Sequence, residues 1–361
     1  MKIIKTNLIH LLIVFILFLN VLINLLVQQF LNTKKNNVVL YGHKLSGNLL
    51  TIYEKSNYFF LCLNYSYFKK LKRQNKRVFY ALNPMHMFKF LNSKIIIVSH
   101  GLFFIDLIKL FSEAKIINVW HGLPNKLVDE SFFNKFDENW IYSDFQKKLF
   151  KNLENLDQNK LIVTGYGRLE KLLVTKNEIT PKKFLIANSW SNFNNLESSE
   201  LFSINNPEFL KLLNYISINF KCSFIIKPHI NQKFLKRNKI LINSFKNVNL
   251  SISDDLESLI NSSDALFTDW SSIMFDYIYT NKSVYLLNNK KSFSGEANPI
   301  FNEVNKKRIQ TYEDFKQIFL NPTDNKNIIN IQQIKLKVLN KELEGQSTKN
   351  YLARINYLLK D

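Results

Sequence analysis

Asp264-Ala-Leu-Phe-Thr-Asp-Trp-Ser-Ser-Ile-Met-Phe-Asp276 is a short apolar run, then small polar residues, then a second apolar set at helical spacing. Ala265–Thr268 reads as a buried strand, and Ser271 and Ser272 open a helix. A strand that passes straight into a helix start is the repeating unit of a parallel α/β sheet. The helix's first N–H groups and the positive end of its dipole then stand at the carboxyl end of the strand. Small hydroxyls there let a diphosphate approach closely and add donors. Ordinary serine N-capping gives the same pattern, and local physics does not choose between the two.

Working outward in both directions, the same alternation recurs. Upstream, strands are predicted at Val38–Gly42, Phe59–Leu63, Lys94–Ser99, Ile116–Trp120, Trp140–Tyr142 and Leu161–Thr164. A second series follows at Lys183–Ala187, Ser223–Lys227, Asn247–Ile252, Ala265–Thr268 and Ser283–Leu287. Helical stretches lie between them, among them Phe145–Leu153, Glu208–Asn219, Leu256–Ser262 and Ile273–Thr280. Continuous Ile, Val and Phe strands, each followed by a helix, indicate parallel sheets covered on both faces. The fold class is therefore α/β with two Rossmann-like domains, expected over residues 36–175 and 176–330. The join falls near Val174–Lys182, a polar stretch with Pro181, and a lysine-rich helical tail is expected over 331–361.

Ligands of open parallel sheets bind outside the carboxyl ends of the strands, so the residues just past each strand carry the functional reading. Ile116–Val119 runs through Trp120 into His121, Gly122 and Pro124. Gly suits a tight turn and Pro a helix start, which brings a histidine out at a strand end, where it can take a proton near neutral pH. A histidine that merely caps a loop would look the same. Phe224-Ile-Ile-Lys-Pro-His229 puts Lys227 and His229 at a strand end of the other domain, a pairing suited to phosphate or to a plain polar turn. Val163-Thr-Gly-Tyr-Gly-Arg168 is a glycine-punctuated turn that ends in an arginine. His100 and His43 also follow strands; His43 is read as lining an acceptor side, while His10 and His86 carry no functional reading. No GxGxxG, Walker loop or metal-ligand spacing is present, which argues against NAD, ATP and metal chemistry.

The chain has 361 residues, a formal net charge of +20 and two widely separated cysteines, Cys62 and Cys222. The cysteines give no disulfide framework and fit buried thiols in a reducing compartment. The basic residues are spread out and no nucleic-acid signature accompanies them, so the charge favours anionic partners without naming one. From Thr6 to Thr33 there is no charged residue, and Leu8–Val27 is apolar except for His10, Asn20 and Asn24. Twenty such residues are long enough for a bilayer core of ~30 Å, so residues 1–35 are expected to form a membrane anchor outside the globular body.

In order and spacing, these motifs resemble the CDP-glycerol glycerophosphotransferase family of teichoic-acid and related polymer synthesis, over about Val38 to Asn289. Gly42-His-Lys-Leu-Ser-Gly-Asn48 is similar to its early G-x-x-x-x-x-N element. Trp120 through Lys126 resembles its W-H-G-T-P-x-K, with Leu123 for threonine, and Thr164 through Arg168 its T-G-Y-P-R, with Gly167 for proline. Lys227-Pro-His229 resembles K-x-H-P, and Ser263 through Asp276 the S-D-x-L-I-T-D-Y-S-S-x-x-F-D element, with Trp270 for tyrosine. The resemblance implies a glycosyltransferase-B-type fold with the nucleotide on the C-terminal domain. It makes His121 and His229 catalytic, His121 as the base that deprotonates the acceptor hydroxyl. Lys227, Ser271, Ser272, Asp269 and Arg168 fall to the donor diphosphate, with Asp269 orienting its loop and Asp276 structural. Gly42, Asn48, Gly122 and Pro124 fall to the acceptor side. The implied partners are CDP-glycerol or a related CDP-polyol, a lipid-linked or polymeric envelope acceptor and the membrane surface, with no cofactor and no nucleic acid. The catalytic domains are expected on the cytoplasmic side of the cell membrane.

One departure bears on the donor. Asn188-Ser-Trp-Ser-Asn192 stands where the family usually has P-T-W-R, so Trp190 is present and the arginine is not. A nucleotide-sugar transferase or epimerase of the same fold is the second enzymatic reading, and a non-catalytic membrane scaffold the third.

Overall fold

A computed structural model describes residues 2–30, 37–99, 101–120, 122–123, 129–151, 153, 155–172, 182–188, 201–228, 236–251, 256–269, 271–280, 282–288, 307–321, 329 and 331–360. Residues 1–121, 129–168 and 340–361 make one compact unit, and 122–128 with 169–339 a second.

The first unit alternates α1 (Lys2–Phe30), β1 (Val38–Tyr41), α2 (Gly47–Glu54), β2 (Phe59–Cys62), α3 (Tyr65–Arg73), β3 (Val78–Tyr80), α4 (Pro84–Leu91) and β4 (Ile95–Val98). It continues with α5 (Ile105–Phe111), β5 (Lys115–Val119), α6 (Glu130–Asn134), β6 (Glu138–Ile141), α7 (Asp144–Lys151) and β7 (Leu161–Val163). The strand order is β3-β2-β1-β4-β5-β6-β7, and every pair is parallel. The side-chain period of two splits the strands between two helical layers. Val39, Tyr41, Leu61, Ile96 and Val98 face α1, α4 and α5. Val38, Leu40, Phe60, Ile95 and Ile97 face α2, α3 and the last helix of the chain. Cover on both faces is why the strands lack polar alternation.

The second unit holds β8 (Lys183–Ile186), α8 (Pro207–Asn219), β9 (Ser223–Ile226), α9 (Lys236–Asn243), β10 (Val248–Leu250), α10 (Leu256–Ser262) and β11 (Ala265–Thr268). After it come α11 (Ile273–Ile278), β12 (Ser283–Leu286), α12 (Tyr312–Leu320) and α13 (Ile331–Val338). Its parallel sheet has the order β10-β9-β8-β11-β12. An aromatic cluster of Phe202, Phe209, Phe224, Phe267 and Phe315 fills one face. Asp264 tethers the sheet's amino end, its carboxylate accepting from the Lys182 and Lys183 N–H groups at 3.0 and 2.8 Å. Buried Lys282 closes α10 by donating to the carbonyls of Ile260, Asn261 and Ser263.

All eleven strands marked in the sequence form within two residues of their expected ends. The one passed over, β3, has three residues and lies at the sheet edge, too short for a periodic signal. The expected tail does not stand apart. The final helix, α14 (Ser347–Lys360), returns to the first unit, where Tyr351 stacks on Trp140 at 5.4 Å and Arg354 pairs with Glu138.

The N-terminal expectation needs correcting. The helix exists, but from Leu17 onward it belongs to the globular body. Among the described residues no helix is long and apolar enough to cross a membrane. Leu17, Val21 and Leu25 are buried at i, i+4, i+8, against the layer that includes Met87 and Phe90 of α4. The two asparagines that interrupt the apolar run are the physical reason. Asn20 donates to the Ala81 carbonyl at 2.9 Å, and Asn24 donates to the Asn20 carbonyl at 2.7 Å. An asparagine pair spaced four apart is a polar stitch onto protein backbone, a use that lipid does not provide.

Candidate functional site

In the second unit the strand order reverses at β8 and β11, and the candidate site is the carboxyl edge there. β8 and β11 are laced to their ends: the Ala187 N–H donates to Phe267 O at 3.1 Å, and Thr268 Oγ1 donates to Ala187 O at 2.6 Å. Past β8 comes buried Asn188, whose amide donates to Phe202 O at 2.9 Å and whose Oδ1 has no partner among the described residues. Past β9, the Lys227 N–H donates to Ile186 O at 2.8 Å, so the lysine leaves the sheet at a fixed register. Past β11 stand Asp269, then Ser271 and Ser272 at the start of α11.

One backbone feature bears on the alternative that the sequence leaves open at Ser272. Ser272 is the N-cap of α11 with helical dihedrals, φ −63° and ψ −13°, and its side chain makes no cap hydrogen bond. Its hydroxyl is not consumed by capping, as it would be in an ordinary Ser N-cap. Ser271 O and Ser272 O accept the N–H groups of Met274 and Phe275 at 3.2 and 3.0 Å, a tight first turn.

Asp269 is 2% exposed, and a lone carboxylate beside that helix start would repel an anion. Arg308, 9% exposed, answers it. Burial pulls the guanidinium below its ordinary range, and the Asp269 carboxylate acts in the opposite direction. Arg308 is carried to this edge by the bridge between Leu287 and Ile309, with the Ile309 N–H donating to Leu286 O at 2.8 Å. No sequence signal marked it: it is one basic residue in a Lys-Lys-Arg run beyond the matched motifs. Lys227 and the helix start leave the edge suited to a diphosphate.

In the first unit the expected acceptor residues form a brace. The Asn48 amide donates to the Trp120 carbonyl at 2.9 Å, and its Oδ1 accepts from the Arg168 N–H at 3.1 Å. One buried side chain from the first turn of α2 thus ties the end of β5 to the turn after β7. Arg168 lies across the Tyr166 ring at 5.4 Å, beside Asn48 in the first unit, whereas Lys227, Asp269, Ser271 and Ser272 share the second. Gly42 lets α2 come close, since a Cβ there would meet Leu49 at 2.8 Å. Gly122 is buried; His121, Pro124 and His229 lie outside the described residues. The glycine-rich turn is packed by α14: Tyr351 OH donates to Gly165 O at 3.0 Å and accepts from the Gly167 N–H at 3.1 Å.

The first sheet reverses order between β1 and β4, and a pocket of about 600 Å³ opens at that edge. Tyr41, Phe103, Phe132 and Phe136 give it an aromatic side, and His43, Asp129 and Lys135 are among its polar lining. The Asp129 carboxyl is held below its usual range chiefly by the Ser131 hydroxyl, which donates to it at 2.7 Å. Lys135 pairs with Asp106 at 2.6 Å. The aromatic wall was missed in the sequence because its residues come from three separate segments. Among the described residues no group of three His, Cys, Asp or Glu could hold a metal ion.

Residues 217–293 match the sequence profile of the family described as CDP-Glycerol:Poly(glycerophosphate) glycerophosphotransferase. A teichoic acid glycerol-phosphate transferase of Staphylococcus aureus is 23% identical over 202 residues, 45% of this chain and 49% of the relative, so the chain spans about half the length of the curated relative it matches. Among solved structures, the wall teichoic acid polymerase TagF aligns over 91% of this chain and 90% of its own, with a TM-score of 0.61 and 14% identity. The UDP-GlcNAc 2-epimerase of Neisseria meningitidis aligns over 91% and 100%, at 0.55 and 12%. At such identities the structural likeness establishes the fold, two parallel α/β units of glycosyltransferase-B type. The resemblance read from the motifs is borne out: residues 217–293 match that family's profile, and the chain is similar to a teichoic acid glycerol-phosphate transferase.

Proposed function

We propose that the chain transfers a polyol phosphate, glycerol phosphate foremost, from a CDP-activated donor to a cell-envelope glycan or lipid-linked acceptor and releases CMP. One observation carries the reading. The family-matched segment 217–293 contains the ends of both β9 and β11, and there Lys227 and Ser271 and Ser272 at the start of α11 share one edge, with the Asp269 carboxylate acting on Arg308. In this reaction His121 takes the acceptor hydroxyl proton. The acceptor oxygen forms a bond to the β-phosphorus as the bond from that phosphorus to the CMP oxygen breaks. His229, Lys227 and the α11 start stabilise the charge on the transferring group and on CMP. The activated donor is cytosolic, so the catalytic units belong on the cytoplasmic side of the membrane.

The test is mass spectrometry of CMP and product after incubation with CDP-glycerol, CDP-ribitol or a UDP-sugar and a glycan acceptor. Transfer from a CDP-polyol is expected. His121→Ala should then cut turnover by ~10²–10⁴ with donor affinity kept, and His229→Ala should weaken both. Turnover of the UDP-sugar alone would give the chain to the sugar-nucleotide enzymes. Reversed behaviour of the two histidine variants would overturn their assignment.

A further inference from the structure

The basic residues are spread along the chain, but the acids are not. Residues 1–105 hold fourteen lysines and arginines and a single carboxylate side chain, Glu54. The cations are densest on α3, where Lys69, Lys70, Lys72 and Arg73 are all exposed. Elsewhere on the surface a helical lysine has a carboxylate at hand, as in Lys211 with Glu208 and Lys316 with Glu313. On α3 none of the four pairs with a carboxylate among the described residues. Lys69 lies instead over the Tyr65 ring at 4.6 Å. Lys69 and Arg73 stand four apart, and Lys70 and Arg73 three apart, so like charges face each other on one side of the helix. The helix dipole favours each cation near the carboxyl end singly and does nothing for the repulsion among them. An anion laid along that side removes it.

The side is a groove of about 380 Å³, lined by Ser66, Lys69, Lys70, Arg73 and Gln74. Its helix is fixed from below. The Asn64 side chain caps it by accepting the Tyr67 N–H at 2.9 Å, Leu71 is buried, and the Tyr67 hydroxyl accepts from the Leu45 N–H at 3.1 Å. Ammonium, guanidinium, hydroxyl and amide donors with no acid among them suit phosphate oxygens. Cations four residues apart stand about 6 Å apart along the axis. Phosphodiesters separated by a short polyol repeat on a comparable step. The groove has no aromatic lining on which bases would stack, and Tyr65 is the one large hydrophobic side chain exposed on α3, too little for a lipid interface.

The helix also has a direction. It starts three residues past the end of β2, at the carboxyl edge of the first sheet, and its cations run away from that edge. We propose that the Lys69-Lys70-Arg73 side of α3 is a polyanion-binding exosite, which holds the phosphodiester backbone of an acceptor polymer behind the end unit that receives the transfer. The polymer's part as acceptor rests on the transfer reaction proposed above; the anion-binding groove does not.

The full chain is titrated calorimetrically with a short poly(glycerol phosphate) at low and at high salt. Wild type should bind, with an affinity that falls as salt rises, because each neutralised phosphate releases counterions. Lys69→Gln with Lys70→Gln and Arg73→Gln should lower the affinity about tenfold or more and flatten the salt dependence. Thermal unfolding should not fall, since the change relieves repulsion. Lys147→Gln with Lys148→Gln and Lys151→Gln removes the same charge from α7 of the same unit and should leave binding nearly unchanged. Equal loss in both triple variants would overturn the proposal by giving the binding to net charge. Phosphatidylglycerol vesicles, or a single-stranded oligodeoxynucleotide, held more tightly than the polymer and released by the α3 variant would overturn it too, by giving the groove to a membrane or to nucleic acid. Turnover with CDP-glycerol is then compared on the polymer and on a single-unit acceptor. The α3 variant should raise KM for the polymer about tenfold, leaving kcat and the single-unit reaction unchanged. An unchanged KM for the polymer overturns the exosite. If wild type transfers to neither acceptor, the transfer reading falls, while the calorimetry still decides the groove.

Discussion

The two carboxyl edges of this chain stand on related strand orders, 3-2-1-4-5 extended by two strands in the first unit and left bare in the second, yet they hold opposite kinds of surface. In the first unit the edge is braced by uncharged hydrogen bonds through Asn48 and Tyr351 and opens into an aromatic pocket. In the second, a buried carboxylate acts on a buried guanidinium beside a lysine and a helix start. Topology decides where a ligand can sit. The side chains past each strand decide which ligand: in the reaction proposed here, a hydroxyl-bearing acceptor on one edge and an anionic donor on the other.

If the second edge depends on that interaction, breaking it should cost the most. Arg308→Met removes the cation on which the Asp269 carboxylate acts and leaves that carboxylate buried, so the second unit should lose stability. Arg308→Met with Asp269→Asn should recover most of that loss. Each unit carries one buried thiol, Cys62 in the first and Cys222 in the second, and burial pushes each up to about 11. Thiol-labelling rates therefore report the opening of each unit separately. Faster labelling of Cys222 alone is expected, and faster labelling of Cys62 alone would show that the pair does not stabilise the second unit.

The glycine turn probes the first unit in the same way. Gly165 has φ +88°, and a Cβ there would meet Ser347 Oγ at 2.2 Å. Gly165→Ala should cost about 2–4 kcal/mol, backbone strain and overpacking together. Adding Ser347→Gly should return only the packing share. Cys62 should now be the thiol that labels faster, and α14 should lose hydrogen-exchange protection. Protection of α14 as in wild type would show that its docking does not depend on this turn.

These cases also show what the sequence made legible. The strands could be read because burial on both faces makes each a continuous apolar word, and the residues after them could be read because the fold rule points there. Arg308 could not, since a bridge between Leu287 and Ile309 brings it to the edge and no local pattern encodes such a bridge. The aromatic pocket could not, because its walls meet only after the sheet assembles. α1 was legible as a helix but misplaced, because the meaning of Asn20 and Asn24 depends on what faces them. Asn48 was marked for the acceptor side from its motif alone, and its bonds to Trp120 and Arg168, which end one residue short of His121, could not be read there.

That brace gives a smaller effect. Asn48→Ala strands the Trp120 carbonyl and the Arg168 N–H, a cost of ~1–3 kcal/mol. As a positioning residue, Asn48 should lower kcat while leaving CDP-glycerol affinity in calorimetry unchanged. An affinity loss matching that of Lys227→Ala would erase the functional distinction between the two edges.

The smallest effect concerns pH and only the first unit. The His86 imidazole accepts the Tyr80 N–H through Nδ1 at 3.0 Å, which requires that nitrogen to be unprotonated. Burial, then Lys72 and Lys89, hold its pKa below the ordinary 6.5. A histidine with a lowered folded-state pKa binds its proton more readily when unfolded. Its contribution to stability is therefore complete above the unfolded value and is lost as pH falls from about 6.5 toward the folded value. The group is largely solvated, so screening keeps the contribution well under ~1 kcal/mol. Hydrogen exchange at the Tyr80 amide is the local measurement. Corrected for its intrinsic pH dependence, protection there should drop between pH 7 and pH 5.5, while protection in β8 and β11 holds. His86→Gln should flatten the drop, because glutamine has no proton to gain in that range. A drop that persists in His86→Gln, or that appears equally in β8, would place the acid-sensitive group elsewhere.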